Sequence, residues 1–554
     1  MHLDTIRTRK NGRQYVCHLL RETYRDHGKV KHRTIANLSH CPPEEIQAIH
    51  LALQHKGKLH ELASLPECLE TQQGLSVGAV LVLQSVAQGL GIVAALGSTQ
   101  EGKRGMWQVL ARVIGQGSRL SAVRLAGVHA ACEVLGLEPF DEDDLYANLD
   151  WLAAHQAAIE DRLFRKRHPD GQAQLFLYDV TSSYLEGTQN ELAAFGYCRE
   201  GKRGKLQIVI GLLCDEEGWP VSVEVFAGNT ADTKTFGSQV RKTAERFGGG
   251  PVTLVGDRGM IRGPQIALLQ QQDRQFHYIT AITKPEIESR LAGGLFQMEL
   301  FDELLAEVID AEEQVRYVLR RNPLRAEEVA ATRRDKRRSV EELVQKQNVY
   351  LAEHPRAGVA RAVRKVQQKI QRLRVSAWLA VAVSGRTLSL AEDAEALAEQ
   401  SKLDGCYCLK TDLPRELASK ERVEERYRSL SQVEWAFRTC KTAHLEARPI
   451  YVRKESRTRG HVFVVMLAYM LVAELARDWQ ALDLTVEEGI RELSTLCMTE
   501  VIIAGNARIK EVPTPRASIQ GLLQAAGVRL PKVLPYPGGS VSSKKKLPEE
   551  RKPL

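Results

Sequence analysis

None of the ten cysteines forms a C-x2-C pair, which excludes a zinc knuckle and a thioredoxin-like redox motif on spacing alone. Cys406-Tyr-Cys408 has the wrong separation for either and reads as two ordinary strand positions. Thiols scattered without a framework fit a reduced, cytoplasmic chain. No apolar core follows the start MHLDTIRTRKNGRQY, so no export signal is expected there. The most apolar run, residues 462–473, ends at Glu474 after a dozen positions; that is too short for a bilayer and reads as a buried helix, with no membrane partner. Internal repeats are lacking, as is a sharp helix-turn-helix fingerprint. Charge of one sign is in no great excess either: 77 Lys+Arg against 69 Asp+Glu leave +8 over 554 residues. That balance permits polyanion binding without requiring it. The length itself exceeds one core and suggests about three or four domains.

What the chain does have is a small set of acids in costly places. Asp179 closes the apolar run Gln174-Leu-Phe-Leu-Tyr, and Asp257 closes Val252-Thr-Leu-Val-Gly. An ionised Asp in or at the tip of a strand loses hydration, which is unfavourable unless a cation compensates it. The third acid is Glu434 in YRSLSQVEWAFRTCK, residues 427–441. Wound as one helix, Tyr427, Glu434, Arg438 and Lys441 fall within roughly 60° of one another. Leu430, Val433, Phe437 and Cys440 form the adjacent apolar stripe, so one side packs and the next offers a carboxylate between cations. Each acid has an ordinary alternative: Asp179 as a strand-end cap, Asp257 as a turn residue, Glu434 as half of an i,i+4 pair with Arg438.

The order of elements between Gln174 and Ile282 favours convergence. Strands are expected at about 174–180, 206–214 and 221–226, then a helix at about 233–247, a strand ending at Asp257, a helix at about 262–272 and a strand at 277–282. Three hairpin-linked strands followed by alternating helix and strand match the α/β ribonuclease-H-like plan, a mixed sheet flanked by helices. That plan sets the first strand beside the fourth, and so brings together Asp179 and Asp257, 78 positions apart (257 minus 179).

With Asp179, Asp257 and Glu434 in this order, and with Tyr427, Glu434 and Lys441 each seven apart, the chain resembles a DDE transposase of a bacterial insertion sequence. The group is the one named for its Tyr-Arg-Glu-Lys helix. The resemblance runs from about Phe176 to Leu471 and includes the stretch from Arg448 to His461; the signature Arg, however, falls at Leu430, leaving Arg428 or Arg438 to supply that charge. It implies two Mg²⁺ ions, replaceable by Mn²⁺, held by Asp179, Asp257 and Glu434, since hard oxygen ligands suit both metals. It implies double-stranded DNA as partner, both transposon ends and target, and a homodimer across paired ends; no small-molecule substrate is expected. The activity implied is binding and cleavage of transposon ends and joining of their 3′-hydroxyls to target DNA. The competing readings are a nuclease that only hydrolyses and a catalytically silent DNA-binding regulator.

Tyr427, Arg428, Arg438, Lys441, Arg258, Lys284 and Trp435 are the expected DNA contacts: the cations on phosphate, the Tyr on phosphate or a base, Trp435 on a displaced base or in packing. Lys284 is read as ending the fifth strand. Thr181 and Ser182 either orient water or cap a turn.

Around this core, residues 1–41 read as a basic β-hairpin turning at Asp26-His27-Gly28; residues 1–33 carry nine Lys/Arg against three Asp/Glu. Residues 42–165 read as a helical, DNA-binding domain, in which the basic stretch Thr99–Gly115 belongs to a DNA-reading unit. The core itself takes 166–283 and 414–480. An insertion subdomain, 284–413, contains strands and a charged helical arm with Arg333, Arg334, Lys336, Arg337, Arg338, Arg361, Arg364, Lys365 and Lys369, read either as a solvated face or as a grip on DNA. Residues 481–512 form a C-terminal element and 513–554 a flexible basic tail.

Overall fold

A computed structural model describes the chain at all residues except 11–12, 58–68, 172, 200, 203, 248–250, 259, 271–275, 443–444, 450, 504–506, 537–540 and 542–554. Of the expected flexible tail, 513–554, residues 537–540 and 542–554 lie outside the described residues; within the rest, Ala517–Ala525 is a helix that buries Ile519, Leu522 and Leu523, and the Leu522 carbonyl accepts from Trp479 Nε1, so this part is packed and not a tail. The chain divides into two compact units, one of residues 1–77, 496–516 and 530–533, the other of residues 78–495, 517–529 and 534–554.

In the smaller unit the expected hairpin is a three-stranded antiparallel sheet: β1 (His2–Lys10), β2 (Arg13–Asp26) and β3 (Lys29–Asn37) in that order. The extra strand is β1, whose polar, charge-rich alternation carries little of the apolar signal by which strands are recognised. His27 and Gly28, both at positive φ, make the β2–β3 turn. A helix, Pro43–Gln54, follows. Next comes β4 (Leu69–Ser76), in a region expected to be helical. Its partner is the strand Cys497–Ile503, more than 400 positions away, which also pairs with Ala507–Glu511. No local pattern could show that pairing.

The larger unit is built on an eight-stranded sheet. Its middle is β5 (Leu175–Tyr184), β6 (Gln207–Asp215), β7 (Pro220–Ala227), β8 (Val252–Gly256) and β9 (Phe276–Ala281). β5–β6 and β6–β7 are antiparallel, while β8 lies parallel to both β5 and β9. The order β7-β6-β5-β8-β9 is the expected ribonuclease-H-like plan. β10 (Ala306–Asp310), β11 (Val315–Arg321) and β14 (Cys406–Thr411) then widen it beyond β9, so strands of the insertion extend the core sheet. From β11 rises a helical hairpin, Pro323–Glu353 and Val359–Leu373, closed by β12 (Leu379–Ser384) and β13 (Thr387–Glu392) around its own core of Val340, Val344, Val366, Ile370 and Trp378.

Helices bury the sheet. Glu455–Asp478 is long and apolar enough to cross a membrane by length and composition, yet most of it is enclosed by the helices Glu142–Arg167 and Gln100–Ile114. Gly460 allows the closest approach, for a side chain there would collide with the Leu149 carbonyl. The Gln100–Ile114 helix, expected in a DNA-reading unit, is a core helix. Its cations serve the fold: Lys103 donates to the Gly136 carbonyl and Arg104 to Glu101.

Candidate active site

The parallel register of β5 and β8 pairs Tyr178 with Gly256, so Asp179 and Asp257 are the next residue on each strand path. Asp179 lies inside β5, half-buried; Asp257 follows β8 and is exposed. The Asp179 carboxylate accepts its neighbour's amide, Val180 N–H, at 2.7 Å, and Asp257 accepts Arg258 N–H at 2.6 Å. Burial pushes the Asp179 carboxyl up to about 7; the Val180 amide and the Arg199 charge oppose that, and the charges of Asp257 and Glu434 add to it. The charges of both other acids therefore reach Asp179. The three acids do not form a closed cage: among the described residues, no group of three or more His, Cys, Asp or Glu side chains stands close enough to hold a metal ion.

The stretch expected as one helix, 427–441, is two. Lys420–Arg428 and Leu430–Lys441 meet at Ser429, which ends one and begins the other. Its hydroxyl bonds back to the Glu425 carbonyl, and Gln432 N–H bonds to the Ser429 carbonyl in a tightened turn. Tyr427 therefore lies on the first helix and not on that of Glu434. It still reaches the site, because its hydroxyl lies 3.4 Å from the Asp257 carboxylate. Burial, then the Asp257 charge, pushes that hydroxyl's pKa upward, which keeps it a proton donor. Leu430, Val433, Ala436 and Phe437 bury the inner face of the second helix, and Glu434, Trp435 and Arg438 stand exposed.

The remaining expected contacts separate into two groups. Lys441 reaches β5, its Nζ donating to Thr181 Oγ1 at 2.6 Å. Arg258 is exposed beside Asp257. Arg438 and Trp435 share a groove with Glu434, and the Trp435 ring meets Tyr469 edge-on at 6.1 Å. Arg428, in contrast, is held by Glu424 at 2.8 Å, one turn back on its own helix. Lys284 does not end β9; it opens the helix Lys284–Ala292 and lies 3.8 Å from Asp404, a partner 120 positions later in the chain (404 minus 284). Thr181 and Ser182 cap no turn, since β5 continues to Tyr184. Thr181 receives Lys441, and Ser182 Oγ accepts Arg199 N–H at 3.0 Å.

Arg199 is the residue that sequence reasoning missed. It is the cation whose charge bears on Asp179, and it lies in the excursion between β5 and β6 beside the exposed Phe195 and Tyr197. A signal existed in the run Phe195-Gly-Tyr-Cys-Arg199, aromatic and basic together in a loop.

A divalent cation fits the chemistry of this donor set. Three hard oxygen donors whose charges penalise one another at Asp179 are relieved by positive charge placed among them.

Residues 170–471, 302 of 554 positions (471 minus 170, plus one), match the family model described as the transposase DDE domain. Residues 3–64 match the N-terminal domain of IS1634 family transposases. Among solved structures, the chain is similar to a piggyBac transposase synaptic complex with hairpin DNA, determined by cryo-EM, at 9% identity and a TM-score of 0.34, with 80% of this chain and 78% of that chain covered. No curated protein matches.

Proposed function

Since the chain belongs to the DDE transposase family and is a DNA transposase, we propose that Asp179, Asp257 and Glu434 are its catalytic acids and hold divalent metal at the scissile phosphate. The observation that carries this reading is the parallel β5–β8 register, which sets Asp179 and Asp257 on adjacent strand paths although 78 positions apart (257 minus 179); the charge of Glu434, from a helix much later in the chain, also bears on Asp179.

Two ions, Mg²⁺ or Mn²⁺, supply when bound the activation of the attacking oxygen and the neutralisation of the leaving one. The chain's own residues do the positioning. β5 holds Asp179, and the end of β8 sets Asp257 on the adjacent strand path, so the sheet places the two carboxylates before DNA arrives. Asp179, Asp257 and Glu434 must be ionised to act as ligands, which ties their charge state to metal uptake. Lys441, steadied by Thr181, presents a cation beside β5 to a non-bridging phosphate oxygen. Tyr427 donates toward Asp257 and holds that carboxylate in place. Arg438, which shares the Glu434 groove, takes the position left by the missing signature Arg, and Arg258 contacts the phosphate from the Asp257 side.

The reaction is phosphodiester transfer. Water attacks phosphorus at the transposon end and the bond to the 3′ oxygen breaks, freeing a 3′-hydroxyl. That hydroxyl then attacks a target phosphate, forming one P–O bond as another breaks. A homodimer across paired ends is the assembly that joins both together.

The test uses the full chain with pre-cut duplex ends, Mg²⁺ and a supercoiled plasmid. Joined product is expected. Hydrolysis of the DNA with no joined product would assign the site to a nuclease instead.

A further inference from the structure

The two helices of the arm carry opposite charge designs. On Pro323–Glu353 seven basic residues stand among six acids, and four of the seven are paired: Arg325 with Glu328, Arg333 with Asp404, Arg337 with Glu341 and Glu392, Arg338 with Asp335. Between Glu353 and Glu392, by contrast, 38 residues (354–391) include eight Lys/Arg and no acid. The helix Val359–Leu373 lies inside this stretch.

Two of those eight cations serve the fold. Arg386 donates to the carbonyls of Leu351, His354 and Ala357, and Lys369 donates to the Ser339 carbonyl. Arg361, Arg364, Lys365 and Arg372 are exposed, and no ion pair involves them among the described residues. At about 100° per residue these four occupy an arc of roughly 100°. The opposite face, Ala362, Val366 and Ile370, is buried in the arm's core. From Arg361 to Arg372 the stripe runs about 16 Å, close to five base-pair steps at the ~3.4 Å rise of duplex DNA.

This arrangement costs the helix stability. Arg361/Arg364, Arg361/Lys365, Lys365/Lys369 and Lys369/Arg372 are like-charge pairs at i,i+3 or i,i+4, each of which works against the helix. The first turn carries Arg361 and no acid, against the helix dipole. A face selected only for solubility mixes signs, as the neighbouring helix does.

We infer that the exposed face of Val359–Leu373 is a sequence-independent docking surface for the phosphate backbone of duplex DNA. Four unpaired cations on a rigid, packed arm complement a uniform line of phosphates and carry no requirement for base contacts. The inference rests on the transposase reading for the identity of its partner alone. The duplex is either target DNA or the transposon end with its flank.

The experiment reverses the stripe in the full-length protein, as R361E/R364E/K365E/R372E, with the same four positions changed to Gln as a second variant. Binding is measured against random-sequence duplex and against duplex carrying the element's ends, over a range of salt. On at least one duplex, the reversal is expected to weaken affinity more than tenfold near 100 mM salt, and the Gln variant to reduce the steepness of log K against log salt by about 3 to 4, near 0.9 per lost phosphate contact. Loss on random duplex alone assigns the stripe to target DNA, loss on end DNA alone assigns it to the end, and equal loss assigns it to any duplex. Unchanged affinity and slope on both, with the arm folded by circular dichroism, overturn the inference. D179N separates the two readings, because it is expected to keep the binding and the salt slope whatever becomes of joining.

Discussion

The carboxylate site and the cationic face of the arm both gather charge of one sign, by opposite means. At the site two acids lie on adjacent strand paths and a third on a helix, and the charges of Asp257 and Glu434 add to the effect of burial at Asp179. On the arm the cations are spread along an exposed helix, where water and salt screen them. Charges that act on one poorly hydrated member, as Asp257 and Glu434 do on Asp179, act as a unit, so the loss of either changes the state of that member. Charges spread over a wet surface act as a sum of small terms. The two regions should therefore differ in additivity and in salt dependence as well as in the size of any single substitution.

The largest expected effect comes from the acids. D179N, D257N and E434Q should each reduce strand joining by about three orders of magnitude or more, since a group acting as a unit fails with any member. The double variant D179N/D257N should be no worse than either single variant. Gel quantification of joined product measures both; multiplicative losses in the double variant would mean that the acids act separately and would break the contrast with the arm.

Lys441 tests whether the unit includes a cation held on β5 two residues from Asp179. Its bond to Thr181 holds the ammonium against β5 at 2.6 Å. A hydrogen bond to a charged group contributes about 1.5–3 kcal/mol. K441M should then lower joining by roughly ten- to hundredfold, and T181V by less, with metal affinity unchanged in both. A K441M enzyme at full rate removes Lys441 from the site.

A third region sharpens the contrast from the positive side. Arg112, Arg119 and His461 are buried together in the larger unit. Burial, then the charges of Arg112 and Arg119, drives the His461 pKa well below its ordinary value, opposed by the backbone carbonyls of Arg448 and Ala447. Folded His461 thus stays neutral where the unfolded residue, titrating near 6.5, takes up a proton. Stability is complete above about pH 6.5 and falls below it, by up to about 1.4 kcal/mol per pH unit from this residue. H461Q, which retains a donor for the Arg448 carbonyl at 3.2 Å, should flatten the acid limb in urea melts at pH 5.5 and 7.5. An unaltered limb would show that the buried cations do not act on His461.

How far such regions can be read in a sequence depends on how locally they are determined. The strands β5 to β9 were legible because each is a buried apolar run between turn residues, and the order of those runs carried the sheet plan. Asp179 and Asp257 could be paired on paper for that reason. The break at Ser429 was not legible, since the apolar period of three and four passes through it unchanged and only the cap geometry differs. Lys284 was misplaced because its partner, Asp404, is brought to it by the fold of the whole insertion. The local partners of the helix Gln100–Ile114 were not legible either: the Gly136 carbonyl that takes Lys103 has no sequence signature. The cations of the arm were visible in the sequence, but the pairing of four of them on one helix, and which face of the other is exposed, needed coordinates.

The smallest effect is also the sharpest test of the comparison. A single change on the arm, K365A, removes one exposed cation from a face that keeps three more. Exposed ionic contacts contribute about 0.2–1 kcal/mol, so the affinity for duplex DNA should fall by about fivefold or less and the loss should fade at high salt. Adding R361A, R364A and R372A in turn should multiply these losses step by step, because each cation meets its own phosphate. If K365A alone removed binding, the face would be a focused site like the carboxylates, and the distinction between a charge cluster that works as a unit and one that works as a sum would not hold for this molecule.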